Sequence, residues 1–307
     1  MLTRRMPKIA ILILCLACLA DCIHPATPQP TLTLAPSLTA AAPTLTAAPT
    51  TAPIPTPTLA PCPPIPGQKP CALDVKVPVS STATITTRVH FLLYLPGDYG
   101  KDPQKKWPLI LFLHGSGNIG SDLNMLKQAA LPAILETQTD FPFIVISPQL
   151  PGSQPFTTQA ATMQIQYWSG MIEPLNILLD QVIASYSVDS HRLYLTGLSL
   201  GGFGTWEFAL RYPQRFSAIV PVAGGYQFQS DAIPAGICDL KNLPVWVFHG
   251  GQDTNVLPKQ DQSLVKALQD CGGNVRFTFY PDANHAQTWQ RAYADAELWK
   301  WLLEQTK

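Results

Sequence analysis

The chain has 307 residues, and its 20 Lys and Arg side chains balance 20 Asp and Glu side chains, which gives a formal net charge of zero with neutral histidine. This balance argues against nucleic acid as a partner, because nucleic-acid-binding domains carry an excess of basic residues. Only 13% of the residues are charged and 46% are hydrophobic, but the N-terminal segment contributes much of both figures and is considered separately.

The N-terminal residues have the pattern of an export signal. A basic stretch at residues 4–8 precedes an unbroken apolar run at residues 9–20. This run is shorter than the roughly 20 apolar residues that span a bilayer, so we expect a signal peptide at residues 1–22 and not a permanent anchor. The segment ends at Cys22 and resembles a bacterial lipoprotein signal, although Asp21 replaces the small residue typical of that position. We expect lipidation of Cys22 or, as the alternative, plain secretion. Both predict an extracytoplasmic protein. Only lipidation of Cys22 would give it a membrane contact, through the N-terminal lipid anchor.

Residues 23–70 are predicted to form a disordered linker rich in Pro and Thr. No Asp, Glu, Lys or Arg occurs between Ile23 and Gln68, and nearly half of the 31 prolines fall in this segment. Because proline fixes φ and lacks an amide donor, this density excludes helix and sheet interior and favours extended polyproline II. We therefore expect one globular domain, residues 71–307, that is held away from a surface by this spacer.

Beyond the linker, apolar strand patterns alternate with amphipathic helix patterns. Most of the strand patterns are continuous apolar runs, which indicates a mostly parallel sheet buried on both faces. Alternation of strand and helix implies right-handed crossovers and a doubly wound α/β fold, in which ligands bind beyond the carboxyl ends of the strands. The predicted strands are 84–95, 108–114, 143–147, 193–196, 218–222, 245–249 and 275–280, and the predicted helices are 171–186, 203–212, 260–269 and 292–304.

One strand runs directly into a glycine-flanked serine, Gly197-x-Ser199-x-Gly201. A hydroxyl that attacks a carbonyl has to stand clear of the backbone on a tight strand-to-helix turn, and the two glycines leave room for that turn. On its own the pentapeptide fits an ordinary glycine-rich connection equally well. The apolar strand before it and the aromatic helix after it favour a nucleophile elbow, in which the amide of Leu200 points at a developing oxyanion.

Two later strand ends supply the partners that a serine nucleophile needs. Asp253 follows the strand at 245–249, and His285 follows the last strand. The serine needs a base to take its proton, and the base needs a carboxylate that fixes its tautomer. The order Ser, Asp, His is that of the α/β-hydrolase arrangement. The rival acids are Asp282, which is more typical of a turn cap, and Asp239, which precedes its strand and so lies at the wrong end of the sheet.

Other polar residues at the strand ends receive supporting roles. His114 and His249 end apolar strands, and we interpret them as loop braces in preference to alternative bases. In the turn after His114, the amide of Ser116 or of Gly115 is the predicted second oxyanion donor, together with that of Leu200.

The substrate pocket leaves a weaker signal in the sequence. Trp168 and Trp289 are candidate pocket walls, with an ordinary place in the core as the alternative. The loop at 149–167 has no interpretable pattern. The sequence therefore leaves the acyl and alcohol specificity open.

Four cysteines follow Cys22, and an even number in an exported chain predicts two disulfides. Pairing of neighbours in sequence gives Cys62 with Cys71 and Cys238 with Cys271, which is one of three connectivities. None of these four cysteines lies in a Cys-x-x-Cys pattern and the chain has no paired histidines, so we predict no metal site. The Ser, Asp and His chemistry predicted above needs no cofactor.

Five stretches of the globular part together resemble one enzyme family. They are LLYLPGDYG (92–100), WPLILFLHG (107–115), YLTGLSLGGFGTW (194–206), PVWVFHG (244–250) and YPDANH (280–285). With them, residues 91–303 resemble the α/β-hydrolase superfamily, in particular secreted esterases described as phospholipase/carboxylesterase-like or as predicted peptidases. One departure is visible. Members of that branch have a His-Asp/Asn-x-Trp pattern at the catalytic histidine. Here three residues, Ala286-Gln-Thr, separate His285 from Trp289, so the pocket wall beside His285 is expected to differ.

The residues and the resemblance together predict a secreted or surface-tethered serine carboxylic-ester hydrolase. Its partner would be a small-molecule or polymeric ester. A serine peptidase or amidase of the same fold is the first alternative, because the same triad serves both reactions. A surface binding module with an inactive pocket is the second alternative.

Overall fold

The computed structural model describes residues 62–152 and 167–307. The predicted signal peptide, Cys22 and the linker up to residue 61 lie outside the described residues, as does most of the loop at 149–167. The strands are β1 (Gly67–Pro78), β2 (Thr84–Leu95), β3 (Trp107–Leu113), β4 (Ile144–Pro148), β5 (Val188–Leu198), β6 (Ala218–Val222), β7 (Val245–Gly250) and β8 (Val275–Tyr280). The α-helices of the described part are α1 (Ala130–Leu135), α2 (Ile172–Ser185), α3 (Leu200–Arg211), α4 (Lys259–Asp270), α5 (His285–Ala294) and α6 (Ala296–Glu304). None of these helices has the length and apolarity needed to cross a membrane.

The eight strands form one sheet in the order β1-β2-β4-β3-β5-β6-β7-β8. Neighbours from β4 to β8 pair in parallel, whereas β2 is antiparallel to both β1 and β4. The sheet is thus mostly parallel and doubly wound, as the sequence predicts. Because β3, β5, β7 and β8 run in the same direction, their carboxyl ends lie along the same edge of the sheet.

Hydrophobic clusters cover both faces of the sheet. In β3, Leu109 and Leu111 belong to one cluster, and Ile110 and Phe112 belong to the other. Helices α2, α3 and α4 contribute buried side chains to the first cluster, and α1, α5 and α6 contribute to the second. This burial on two sides explains why the central strands have continuous apolar sequences.

The folded part begins earlier than residue 71, where the sequence placed its start. Strand β1 begins at Gly67 and pairs along its whole length with β2, and Cys62 is buried. From Cys71 onward, buried side chains alternate with more exposed ones, as in an edge strand with one solvated face. The prolines near its ends, which are tolerated at a sheet edge, made the segment look like linker.

The single closing helix predicted at 292–304 is wrong, because the structure has two helices there. Asn284 begins α5 with a capping box that includes Gln287, so this helix starts at His285. Asp295 ends α5 and caps α6, where its side chain accepts a hydrogen bond from the amide of Glu297. A residue with extended backbone therefore divides a pattern that, by its apolar spacing alone, looks continuous.

Two disulfides link the pairs that are neighbours in sequence, as predicted. Cys238 is joined to Cys271, which connects a short 3₁₀-helix to the end of α4, with 5.4 Å between the Cα atoms. Cys62 is joined to Cys71 in β1, with 5.9 Å between the Cα atoms. The Tyr186 hydroxyl also donates a 2.9 Å hydrogen bond to the Cys62 carbonyl, so Cys62 is fixed to the fold at two points.

Candidate active site

Ser199 lies on the turn between β5 and α3, with φ 54° and ψ −119°. Its amide donates a 2.9 Å hydrogen bond to the Val222 carbonyl at the end of β6. A Cβ at Gly201 would lie 2.5 Å from the Leu113 carbonyl carbon and closer still to its oxygen, and a Cβ at Gly197 would lie 2.6 Å from the Gly201 carbonyl carbon. Both positions therefore require glycine, because three backbone segments meet here without room for a side chain. The strand, turn and helix context predicted for the serine is present.

The loops after β7 and β8 bring an acid and a base together. The Gln252 amide donates a 3.0 Å hydrogen bond to the Ala283 carbonyl, which holds the two loops side by side. His285 Nδ1 then lies 2.6 Å from Asp253 Oδ2. The Asp253 side chain is fully buried, and the His285 side chain is 17% exposed. This geometry fixes the imidazole with Nδ1 protonated and leaves Nε2 as its proton acceptor.

The first turn of α5 explains the unusual spacing after His285. Because His285 is the first residue of α5, Trp289 is one helical turn further along and on the same face. Both side chains line the same cavity. The three residues between them, Ala286-Gln-Thr, thus keep the tryptophan beside the histidine.

Ser199 lies where two cavities meet. The larger has a volume of about 600 Å³ and the smaller about 340 Å³, and Ser199 and Ser116 line both. His285 lines the smaller cavity with Ser199. Trp168, which is 1% exposed, forms a wall of the larger cavity. The larger cavity is mainly aromatic and apolar, with Tyr167, Phe203, Tyr226, Phe228 and Val256 among its lining residues.

The predicted oxyanion donors lie on the two turns that flank Ser199. A Cβ built on Gly115 would lie 3.4 Å from the Ser199 Cβ, so the turn after β3 packs directly against the serine. Within the described residues, the amides of Ser116 and Leu200 donate no hydrogen bond to a backbone carbonyl. Each begins a helical segment, where the first amides have no partner inside the helix and point at a bound anion.

The Asp253 carboxylate is held ionised despite its burial. Burial alone would raise its pKa, but the nearby His249 and the hydrogen bond from His285 keep the pKa well below its usual range. Its other oxygen, Oδ1, accepts hydrogen bonds from the amides of Asn255 at 2.9 Å and Val256 at 3.0 Å. A fixed negative charge next to His285 stabilises the imidazolium that forms when the base takes a proton.

His114 and His249 are braces, as interpreted from the sequence. His114 Nδ1 lies 2.7 Å from the Gly115 carbonyl, and its Nε2 accepts a 2.9 Å hydrogen bond from the Leu150 amide. Burial lowers the pKa of His114 to about 4, so it is neutral. His249 is 0% exposed and also has both nitrogens engaged. Neither ring has a free nitrogen with which to take a proton from Ser199.

The rival acid Asp282 lies in a surface ion pair. Its two carboxylate oxygens accept hydrogen bonds from Arg291 at 2.8 and 2.9 Å, and its side chain is 70% exposed. This pairing leaves Asp253 as the carboxylate that contacts His285.

Sequence reasoning missed several residues of the site. Tyr226 and Phe228 follow β6, and Glu207 lies two turns into α3, yet all three line the larger cavity. For Tyr226 and Phe228 the only signal was position, since every loop after a parallel strand faces the same edge of the sheet. Among the described residues that line this cavity, Glu207 is the one carboxyl group, and burial raises its pKa. Among the described residues, no group of three or more His, Cys, Asp or Glu side chains is arranged to hold a metal ion.

Comparison with known proteins gives a consistent group of relatives. The model of a family described as "Putative esterase" matches residues 82–305. A "Putative carboxymethylenebutenolidase" of Salmonella typhimurium is 32% identical over 124 residues, which are 38% of this chain and 46% of that protein. The "Poly(3-hydroxyalkanoate) depolymerase C" of Paucimonas lemoignei is 31% identical over 130 residues, which are 34% of this chain and 31% of that protein. The match thus spans about half or less of the length of these curated relatives.

A solved structure shares the architecture. The crystal structure of a thermostable esterase superposes with a TM-score of 0.57 and 26% sequence identity, and the match covers 78% of this chain and 63% of that one.

Proposed function

Because the chain belongs to this esterase family of the α/β-hydrolase superfamily, we propose that it is a carboxylic-ester hydrolase that works through an acyl-enzyme on Ser199. The α/β-hydrolase fold predicted from the sequence is confirmed by the family match and by the shared architecture. The observation that carries the proposal is that Ser199, on its strained turn, lines the same cavity as His285, which is itself paired with the buried Asp253.

In the proposed reaction, the Ser199 hydroxyl attacks the ester carbonyl while His285 Nε2 accepts its proton. The carbonyl oxygen becomes an oxyanion held by the amides of Leu200 and of the Gly115–Ser116 turn. The tetrahedral intermediate then expels the alcohol, which leaves with the proton from His285. Water attacks the acyl-enzyme with His285 again as base, and the acid product departs as Ser199 recovers its proton.

The substrate we propose is a small or polymeric ester. The aromatic and apolar lining of the larger cavity favours an apolar acyl or alcohol group. The named relatives point to ester chemistry, and one of them is named for depolymerising a polyester. Hydrolysis of peptides is the competing outcome, because the same residues cleave amides.

We also propose that the enzyme is exported and acts outside the cytoplasm, either free or held by a lipid on Cys22. The signal-like N-terminus, the proline-rich segment and the two disulfides support this placement.

A fluorophosphonate probe tests the proposed nucleophile directly. We expect one covalent adduct per chain on the peptide that contains Ser199, because only a serine paired with a base reacts with the phosphonyl centre. The measurement is intact mass followed by peptide mapping, with heat-denatured protein as the control. An adduct on Ser116 or Ser169, which also line the cavities, would assign the nucleophile elsewhere. A panel of esters and matched peptides, run in competition with the probe, separates an esterase from a peptidase.

Replacement of Asp253 by Asn tests the proposed acid. We expect kcat to fall by about 10³- to 10⁴-fold with little change in KM, because an amide neither fixes the tautomer of His285 nor stabilises the imidazolium. The matched control is Asp282→Asn, which removes an exposed carboxylate of the neighbouring loop. It should change kcat by less than about twofold, since surface substitutions of this kind perturb a protein little. Equal losses in the two variants would contradict the assignment of Asp253.

A further inference from the structure

A second histidine–carboxylate pair lies directly behind Asp253. His249 Nδ1 is 2.7 Å from Asp261 Oδ2, and His249 Nε2 is 3.5 Å from Asp253 Oδ2. The side chains of His249, Asp253 and Asp261 are all 0% exposed. The proposed reaction does not use His249 or Asp261 as acid or base, yet three ionisable groups are buried here in one row.

Both nitrogens of His249 face oxygens that can only accept a hydrogen bond. Nδ1 faces the Asp261 carboxylate, and Nε2 lies 3.0 Å from the Val256 carbonyl oxygen as well as near Asp253. A neutral imidazole would point a nitrogen lone pair at one of these oxygens, whereas an imidazolium donates to both. Burial lowers the pKa of His249, but the contacts with Asp253 and Asp261 outweigh this effect and raise it to about 10. The acceptor that faces each nitrogen thus favours the imidazolium form of His249.

The Asp261 carboxyl group takes part in three hydrogen bonds. Its Oδ1 accepts a 2.9 Å hydrogen bond from Trp206 Nε1, and its Oδ2 accepts a 2.9 Å hydrogen bond from the Gly224 amide in addition to that from His249. Trp206 lies on α3, the helix that begins directly after Ser199. Asp261 thus connects the serine helix to the loop that carries Asp253, through His249.

The charges along this row do not cancel by themselves. Asp253 and Asp261 are negative and His249 is positive, so one net negative charge remains to balance the proton that His285 takes up. The titratable groups around His249 come from three elements. Asp253 comes from the loop after β7 and Asp261 from α4, and His285 from α5 contacts Asp253. Among the described residues, no further ionisable side chain is hydrogen-bonded to any of these groups.

We propose that His249 is a permanently charged positioning residue, which offsets part of the Asp253 charge felt by His285 and whose charge is stabilised by the hydrogen-bond acceptors that face both of its nitrogens. This inference rests on the proposed roles of Asp253 and His285. It assigns His249 and Asp261 control over the pH range in which the enzyme is active, beyond their part in packing.

The wild-type enzyme provides the first test. In ¹⁵N-histidine-labelled protein, we expect one imidazole to keep both nitrogens protonated from pH 6 to pH 8.5, and we expect this signal to be absent in His249→Gln. A neutral His249 signal at pH 8 would overturn the proposal whether or not any variant folds.

The second test uses opposite charge changes on the two residues. His249→Gln removes a positive charge, so His285 should hold its proton to higher pH, and the acid limb of the kcat/KM profile should move up by about half a unit to one unit. Asp261→Asn removes a negative charge, so the acid limb should move down by a similar amount. In Asp261→Asn, the amide oxygen can still accept hydrogen bonds from Gly224 and His249. The amide nitrogen takes the place of the oxygen that accepts from Trp206, so only that hydrogen bond is lost. The double variant has the wild-type net charge and should return to within about 0.3 units of the wild-type profile.

The outcomes separate the alternatives. Opposite shifts that cancel in the double variant support the proposal. Shifts in the same direction, or lower kcat with an unchanged profile, would show that the pair acts only in packing. If His249→Gln does not fold by circular dichroism, the NMR measurement, Asp261→Asn and the double variant decide. Failure of the proposed function is a different result, in which the wild-type protein shows no ester hydrolysis that depends on Ser199.

Discussion

Replacement of Ser199 by Ala is expected to lower kcat on p-nitrophenyl acetate and p-nitrophenyl butyrate by about 10⁵- to 10⁶-fold. Without the hydroxyl no acyl-enzyme forms, and only the oxyanion donors and substrate binding remain to accelerate attack by water. The loss should appear in kcat with little change in KM, because Ser199 acts on the transition state more than on binding. In the wild-type enzyme the rate should rise with pH as His285 loses its proton, since only the neutral imidazole is a base.

Ser169→Ala is the matched control for this loss. Ser169 lines the larger cavity, but it has no partner base in the proposed mechanism, so this variant should retain more than about half of the wild-type kcat/KM. Release of p-nitrophenol measures both variants, and the fluorophosphonate probe titrates the active fraction of each preparation. Equal rates for wild-type protein and Ser199→Ala would end the proposed mechanism.

Replacement of Gly201 by Ala is expected to destabilise the fold by more than about 4 kcal/mol, or to prevent folding. The added Cβ would lie 2.5 Å from the carbonyl carbon of Leu113 and 2.9 Å from the carbonyl oxygen of His114. Both are backbone atoms of the neighbouring central strand and its turn, so neither can move aside as a flexible side chain would. A loss of this size lowers Tm by about 10 °C or more for a domain of this length.

Gly117→Ala is the control for this effect, because a Cβ at Gly117 meets nothing within 4 Å. It should change Tm by less than about 2 °C. Thermal and urea unfolding, followed by circular dichroism, measure both variants. A Gly201→Ala protein as stable as wild type would show that α3 and β3 are not in such close contact.

The strand ends were the most informative part of the sequence. Ser199, Asp253 and His285 could be placed in advance because parallel strands align their carboxyl ends, so residues far apart in the chain meet at one edge. The central strands were predictable for a related reason, since burial on both faces leaves continuous apolar runs.

Strand β1 and the start of α5 were harder to predict from the sequence. Edge strand β1 is buried on one face and has prolines near its ends, so composition there resembles linker more than sheet. The first residue of α5 was marked by Asn284 and Gln287, whose capping-box spacing is a local signal that apolar periodicity overlooks.

The contact between His249 and Asp261 leaves no local pattern in the sequence from which it could be predicted. Asp261 is an acidic residue in the first turn of α4, a place where such residues are common because they favour the helix dipole. Asp261 reaches His249 only because the loop after β7 brings the start of α4 back to that strand. The same is true of Phe228, which follows a strand by several residues and is brought to the cavity by the course of its loop.

The cross-link between Cys62 and Cys71 would have a mechanical consequence if, as proposed, the chain is held by a lipid on Cys22. Tension along the preceding chain reaches the domain at Cys62, and the disulfide transfers it directly to Cys71 within β1. The intervening residues carry no load, so the first strand pairs, from Gly67 to Pro70, are not peeled from β2. Resistance to pulling is thereby set by the strand interior, and reduction of this one bond would let β1 unzip from its end.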